Sequence, residues 1–349
     1  MNTGSEQALS ATVVTGERQA WLDYARVLLL ALIVLHHSHP RIAVFDQMLV
    51  DLAMPLFFLL SGLLYNVARY RDSFTLFVRT RVTRLLVPYF AISALFYVLW
   101  LIVGRYMVGG SELDIEWWKP VVECVKGEPS TVCGTFWFVA CLVSIQLLYY
   151  CLDRLLPPIL ILPVALLLAV VSRFLPGIGV WNMSNAMVYL PLFVIGSMLR
   201  KYRLAGNCES AAVATLALLA GCVLMYIAVT RFEYLTLPYS LLNLSAVALL
   251  SVPLTTLTMK SATRWGQVTW IENIATASLA YLAIQNYGIG VMRVVLSRIM
   301  TESEFNAALW LKPVIAVVVF IAIYPLAVII LRYVPALTGA SKRRKNNNT

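Results

Sequence analysis

Trp21-Leu22-Asp23-Tyr24-Ala25-Arg26-Val27-Leu28-Leu29-Leu30-Ala31-Leu32-Ile33-Val34-Leu35-His36-His37-Ser38-His39 is the stretch that decides how this chain folds. It is long and apolar enough to cross a bilayer as a helix, yet it holds an acid, an arginine and all three histidines of the protein. Ionisable groups in such a segment are costly and mark functional sites. At about 100° per residue, the eleven steps from Arg26 to His37 return to nearly the same helix face, roughly 16 Å further along the axis. Asp23 precedes Arg26 at the i,i+3 spacing that lets two side chains meet. The same arithmetic turns His36 about 80° off the stripe and puts His39 about 160° from His37, so His37 is the residue that shares a face with Arg26.

Working outward, the composition agrees with a membrane protein: 60% of the 349 residues are hydrophobic, only 13% are charged, and the mean hydropathy is +0.80. Apolar runs predict spans near 21–40, 46–67, 84–104, 134–152, 157–175, 186–200, 211–230, 238–259, 270–295 and 309–334, an all-α bundle of about ten transmembrane helices. A polar segment (1–20) precedes the membrane domain (21–335), and a basic tail (336–349) follows it. The first span is followed by histidines, not by a small-residue cleavage site, so it reads as retained.

Orientation follows from Lys and Arg in the short connections. One alternating set holds Arg18; Arg69, Arg71, Arg79, Arg81 and Arg84; Arg154; Arg200, Lys201 and Arg203; Lys260 and Arg264; and Lys342 to Lys345, sixteen against eight in the other set. Both termini are therefore expected in the cytoplasm, with Arg26 nearer that side and His37 nearer the outer face. The net charge of +10 is explained by topology and calls for no nucleic acid.

The segment 105–133 is the longest external connection. Its Glu112, Asp114, Glu116, Trp117 and Trp118 include groups that hold sugars elsewhere, although tryptophans at this depth are more often interfacial anchors. Cys124 and Cys133 share that loop, where a disulfide forms if the geometry permits. Cys141, Cys151 and Cys222 read as apolar filler.

Within the spans, Phe57-Phe58-Leu59-Leu60-Ser61-Gly62 and Phe193-Val194-Ile195-Gly196 read first as close helix packing. Arg79, Arg81 and Arg84, before Pro88-Tyr89, suit either a topological signal or phosphate capture, and Arg81 and Arg84 share a helix face. Phe136-Trp137-Phe138 fits an aromatic belt; Ser278 to Leu282 with Gln285 and Asn286 fits helix-to-helix hydrogen bonding, with substrate contact the second reading. The adjacent histidines lack the i,i+4 spacing of a metal pair, so no metal is expected, and no phosphate loop or nucleophile elbow occurs.

These landmarks, in this order, resemble the membrane acyltransferase-3 family and particularly its fucose 4-O-acetylase-like branch. The match rests on Trp21 to Arg26, ten residues and His37; Phe57-Phe58-x-x-Ser61-Gly62; the arginines before Pro88-Tyr89; Trp137-Phe138; and Phe193-x-x-Gly196, over roughly residues 20–335. A Tyr-Leu-x-His found in many members is absent: Tyr281-Leu282-Ala283 is followed by Ile284 and then Gln285.

The resemblance implies acyl transfer from cytoplasmic acyl-coenzyme A, as co-substrate, to a hydroxyl of a glycan or lipid-linked sugar at an inner (plasma) membrane. His37 is then the general base, or in a second mechanism the acyl carrier, with Arg26 and Asp23 completing the candidate catalytic set. Arg79, Arg81, Arg84 and Ser61 become the donor site, and Trp137, Tyr281 and Gln285 the substrate contacts. The competing class is a transporter or flippase for an anionic or glycosylated lipid, which would favour paired half-chain repeats; none occurs.

Overall fold

The computed structural model describes residues 20–70, 73–107, 114–175, 179–201 and 210–339. Arg18, Arg71, Glu112, Arg203, Cys208 and Lys342 to Lys345 lie outside the described residues. Among those described, every regular element is a helix. Ten are apolar: α1 (Ala20–His37), α2 (Ala43–Leu63), α3 (Phe74–Ile102), α4 (Trp137–Leu155), α5 (Pro158–Val171), α6 (Met183–Lys201), α7 (Ala211–Arg231), α8 (Leu237–Trp265), α9 (Ser278–Leu296) and α10 (Leu311–Tyr333).

Nine of the ten are long and apolar enough to cross a membrane. The expected fifth span, 157–175, is corrected to a helix of 14 residues, about 21 Å against the roughly 30 Å of a hydrocarbon core. Pro157 and Pro158 fix its start, and the Ser172 hydroxyl, donating to the Ala169 carbonyl, closes its end. It still runs from one end of the bundle to the other. Pro158 and Ile161 share a crevice with Tyr149, Asp153 and Ser197, near the final turns of α4 and α6, whereas Arg173 donates to the Leu235 carbonyl just before α8. Among the described residues ten helices thus traverse the bundle, and α1 begins at the end where α10 finishes.

Two more boundaries move. The third span starts at Phe74 rather than 84, because Val78–Val82 is a π-helical turn that carries Arg79 and Arg81 into the helix. The single run expected over 270–295 is broken at Ala277, giving a short helix, Thr269–Thr276, and then α9.

Prolines stand inside six of the helices: Pro55, Pro88, Pro163, Pro191, Pro253 and Pro325. A membrane helix tolerates them where other groups satisfy the backbone. The hydroxyls of α8 are satisfied internally in the same way: Thr255, Thr256 and Thr258 donate to the carbonyls of Ser251, Val252 and Leu254.

The tightest packing joins α2 to α6. A Cβ added at Gly62 would collide with the backbone carbonyl of Phe193, and one added at Gly196 with that of Leu59. Each glycine seats against the backbone of the other helix, so both glycine motifs bear out the packing reading. Phe58, fully buried beside this contact, stacks on Tyr189 and Phe138 and extends the seam to α4.

Gly62→Ala and Gly196→Ala should each destabilise the protein by about 1–3 kcal/mol or more, the range for overpacking. Because both force apart the same pair of helices, the double variant should cost clearly less than the sum of the two. Thermal unfolding in detergent measures this; strict additivity would show that the two glycines act independently.

Candidate functional site

The end of the bundle where α1 begins and α10 finishes opens into a chamber of about 1180 Å³. Its walls come from segments far apart in sequence: Arg26 of α1, Phe57 and Ser61 of α2, Arg69 and Tyr70 beyond it, Arg81 and Arg84 of α3, Arg200 of α6 and Arg332 of α10. Six arginines line it, and Glu272 is the one acid among the described residues of its lining. A concave, six-arginine surface is a trap for a polyanion, since each planar guanidinium can bind phosphate oxygens in pairs. The inner end, by contrast, is apolar: Phe57, Phe138, Leu142 and Leu282, with Gln146 among them.

Local structure explains how the arginines come to face inward. The π turn at Val78–Val82 swings Arg81 under an aromatic cluster, where its guanidinium lies over the rings of Tyr65 (5.4 Å) and Tyr70 (5.7 Å) and donates to the Leu64 carbonyl at 2.6 Å. Its Nε is buried without a partner. Arg84, one turn on, is exposed at the mouth. Arg200 reaches the Leu63 carbonyl at 3.4 Å.

The break at Ala277 adds a helix start. Ala277 provides no side-chain cap for α9, and Ser278 and Leu279 line the chamber, so the positive end of the α9 dipole belongs to the same electropositive wall. Against this helix start, with Gly339 beside Leu279, the residues after α10 turn back as a 3-10 helix, Pro335–Thr338, so the start of the expected basic tail forms part of the wall. Gly339, at φ +70°, packs so closely on the Arg84 carbonyl that a Cβ there would sit 2.7 Å from it.

The expected pairing of Asp23 with Arg26 is present, carboxylate to guanidinium at 3.6 Å, with Asp23 buried and only Arg26 reaching the chamber. His37 is not part of the chamber lining; it lies at the opposite end of α1. Its ring meets that of His36 edge to face, centroids 4.6 Å apart.

A set of contacts that the sequence did not announce fixes the segment following His37. Lys312, 1% exposed at the start of α10, forms an ion pair with Asp46 at 2.8 Å and donates to the carbonyls of Ser38 (2.5 Å) and Pro40 (3.3 Å). Two ammonium hydrogens thus go to backbone carbonyls, and the Asp46 carboxylate balances the charge. The other Asp46 oxygen accepts from the Ile42 amide at 2.8 Å, and its backbone carbonyl accepts from His36 Nδ1 at 2.7 Å. His36 is therefore a backbone anchor with its proton on Nδ1. His39 lies near Phe305, and burial, with repulsion from Arg41, Arg293 and Lys312, holds its pKa below the ordinary imidazole value.

A second unannounced cluster lies further along α2. Asp51, buried, accepts from the Tyr239 hydroxyl and from Gln47 Nε2 at 3.0 Å, while Asn243 donates to its backbone carbonyl at 3.4 Å. An acid inside an apolar span signals such a cluster, but its partners 188 and 192 residues away are invisible to local pattern.

The chamber thus unites Arg26, Ser61, Arg81 and Arg84 and leaves other expected site residues outside. Arg79 is exposed and not in the lining, because the π turn points it away from Arg81. Trp137 packs against the core, and its neighbour Phe138 takes the place in the wall. Tyr281 is fully buried against Phe320, donating to its carbonyl at 3.4 Å. Gln285 is completely buried one turn beyond Leu282.

Cys124 and Cys133 are free thiols, both buried, with no disulfide between them, and burial raises the Cys124 pKa. Cys141 is core filler as expected, whereas Cys151 and Cys222 are exposed on the helix surfaces. Trp117 and Trp118 are exposed. Among the described residues no cluster of three or more His, Cys, Asp and Glu could hold a metal.

Residues 19–332 match the family described as an acyltransferase domain, of the acyltransferase-3 type. No curated protein and no solved structure matches the chain.

Removing Lys312 alone leaves the Asp46 carboxylate buried and uncompensated, so Lys312→Met should cost about 3–5 kcal/mol of stability. The double variant Asp46→Leu, Lys312→Met should be more stable than Lys312→Met itself. Thermal unfolding of the three proteins decides it, and a double variant less stable than the single would refute the ion pair as the reason Lys312 is needed.

Proposed function

Because the chain belongs to the acyltransferase-3 family, a membrane acyltransferase family, we propose that it moves a short acyl group, most simply acetyl, from cytoplasmic acyl-coenzyme A to a hydroxyl of an envelope glycan or lipid-linked sugar, with His37 as general base. The observation that carries the donor half of this reading is the six-arginine chamber. Coenzyme A is strongly anionic at its nucleotide end and neutral along its pantetheine arm. An arginine mouth leading to an apolar inner end has the same polarity in the same order.

In this reading the mouth faces the cytoplasm of an inner membrane, as the basic connections at that end favour. The phosphates rest on Arg84 and its neighbours, and the pantetheine arm passes among Phe57, Phe138 and Leu282 to carry the thioester on toward His37 at the far end of α1. Water is sparse there, which protects the thioester from hydrolysis.

The chemistry is an exchange of one ester for another. A neutral His37 imidazole takes the proton of the acceptor hydroxyl while its oxygen attacks the thioester carbonyl. As the tetrahedral centre collapses, the carbon–sulfur bond breaks and the imidazolium returns the proton to the leaving thiolate. Products are the O-acyl ester and free coenzyme A, with no net change at histidine. Arg26, roughly 16 Å down the helix and paired with Asp23, acts on the donor and not on the reacting proton. The fucose 4-O-acetylase-like resemblance favours a sugar hydroxyl as acceptor.

Release of free thiol from acetyl-coenzyme A by the purified protein tests the reaction. His37→Ala should lower turnover about 10²- to 10⁴-fold while coenzyme A still binds, the range for a lost general acid–base group. His39→Ala should retain most activity; His36→Ala should lose stability through its Asp46 anchor before it loses chemistry. Arg84→Ala should weaken coenzyme A binding, with Lys restoring it only in part. A fully active His37→Ala protein would sink the mechanism, and unchanged coenzyme A affinity in Arg84→Ala would reassign that arginine to topology.

A further inference from the structure

Two glutamines, one in the inner wall of the chamber and one buried behind that wall, hold polar atoms that nothing around them satisfies. Gln146, in the middle of α4 and 3% exposed, has Oε1 buried without a hydrogen-bond partner. Gln285, in α9 and 0% exposed, has both Oε1 and Nε2 without one. Buried amides are paired almost everywhere in proteins, so three orphaned atoms in two side chains require an explanation.

Their position supplies one. Gln146 lines the chamber, on the same helix face as Leu142 four residues earlier; Gln285 lies one turn beyond Leu282, which also lines it. Both glutamines therefore stand in or just behind the apolar inner walls, away from the arginines of the mouth.

The missing partner can be described by its chemistry. Two of the orphans are carbonyl oxygens, which need a donor, and the third is an amide N–H, which needs an acceptor. Phosphate oxygens and thioester carbonyls accept but do not donate, and ammonium groups donate but do not accept. The partner is an uncharged group that does both, in a site bounded by Phe57, Phe138, Leu142 and Leu282. Secondary amides and hydroxyls have this property. The pantetheine arm carries two amides and a hydroxyl on a slender chain, and it would enter this space once the phosphates sit at the arginines.

We infer that Gln146 and Gln285 bind the amide-bearing arm of the acyl donor, so that the chamber recognises the donor twice: by charge at the mouth and by amide pairing at the inner end. This rests on the acyl-coenzyme A reading above. Each glutamine remains unsatisfied in the empty protein and is satisfied when the arm is in place, so the binding energy is directed at pantetheine and not at nucleotides in general. A sugar hydroxyl from the acceptor shares the required chemistry, and the test separates the two.

The experiment measures binding of coenzyme A and of adenosine 3′,5′-bisphosphate, which keeps the nucleoside and two of the three phosphates but lacks the arm, to the full-length protein in detergent without acceptor. Gln146→Leu and Gln285→Leu should each weaken coenzyme A by about tenfold or more and leave the bisphosphate within about twofold of wild type. Arg84→Ala should weaken both ligands. Each leucine variant should also raise the unfolding temperature of the ligand-free protein, because an orphaned polar group has been replaced by an apolar one; lower affinity with higher stability is a combination that loss of structure cannot give. If Leu at position 285 prevents folding, Gln285→Met and the Gln146 variant give the same two readouts. Coenzyme A affinity unchanged in both variants overturns the inference, as does an effect confined to the acceptor's KM. A wild-type protein that binds the bisphosphate no more weakly than coenzyme A also overturns it, with the donor reading intact; one that binds neither ligand removes that reading too.

Discussion

Lys312 sits with its ammonium group out of water, at the start of the last helix, surrounded by one carboxylate and two backbone carbonyls. A charge in that position is tolerated only when a counter-charge and hydrogen-bond acceptors surround it, so the connection between α1 and α2 is held where its carbonyls can meet the ammonium group. That connection is short, and the bonds from Arg41 to the His36 carbonyl and from His36 to the Asp46 carbonyl brace it further. The ion pair ties the first, second and tenth helices together at one end. At the other end the same helices open to form much of the chamber: Arg26 from α1, Ser61 from α2 and Arg332 from α10. A bundle closed at one end by a buried charge and splayed at the other around six arginines is the outcome, and the reciprocal glycines of α2 and α6 set how closely its centre can pack.

What could be read from the sequence was what periodicity and hydropathy encode. Arg26 fell on a stripe, Asp23 paired with it at i,i+3, and the glycines of the two phenylalanine-glycine motifs were recognisable as points of close approach. Helix ends were less legible wherever polarity and helicity disagreed. Arg79, Arg81 and Arg84 lowered the hydropathy enough to hide the first ten residues of α3, yet those residues are helical because the arginines have somewhere other than lipid to go. The break at Ala277 was hidden for the opposite reason: the apolar pattern continues smoothly through it, and only the packing of the segments on either side shows that the backbone turns.

The polar contacts were the least legible part. Lys312 looks like an ordinary flanking lysine, and its partner Asp46 lies more than 260 residues earlier. Asp51 and Tyr239 belong to helices that meet only once the bundle forms. Tyr281 and Trp137 carried the chemistry of a substrate contact, but helix rotation turned the first into a packing residue and gave the chamber position beside the second to Phe138. Such rotations are decided by which faces pack, and small differences in packing decide them.

α5 has a mechanical consequence. A helix of 14 residues with strongly exposed Ile159 and Leu167 is about 9 Å shorter than a hydrocarbon core, and exposed Leu155, Phe174 and Leu175 carry its apolar face on from both ends. Lipid tails cannot leave that mismatch as bare water contact, so the leaflets beside α5 must bow inward or the flanking side chains must reach outward to meet them. Either response strains the membrane on one side of the protein only. On that side the bilayer is therefore met by loop side chains as well as by helix, so lipid and protein adjust to each other there.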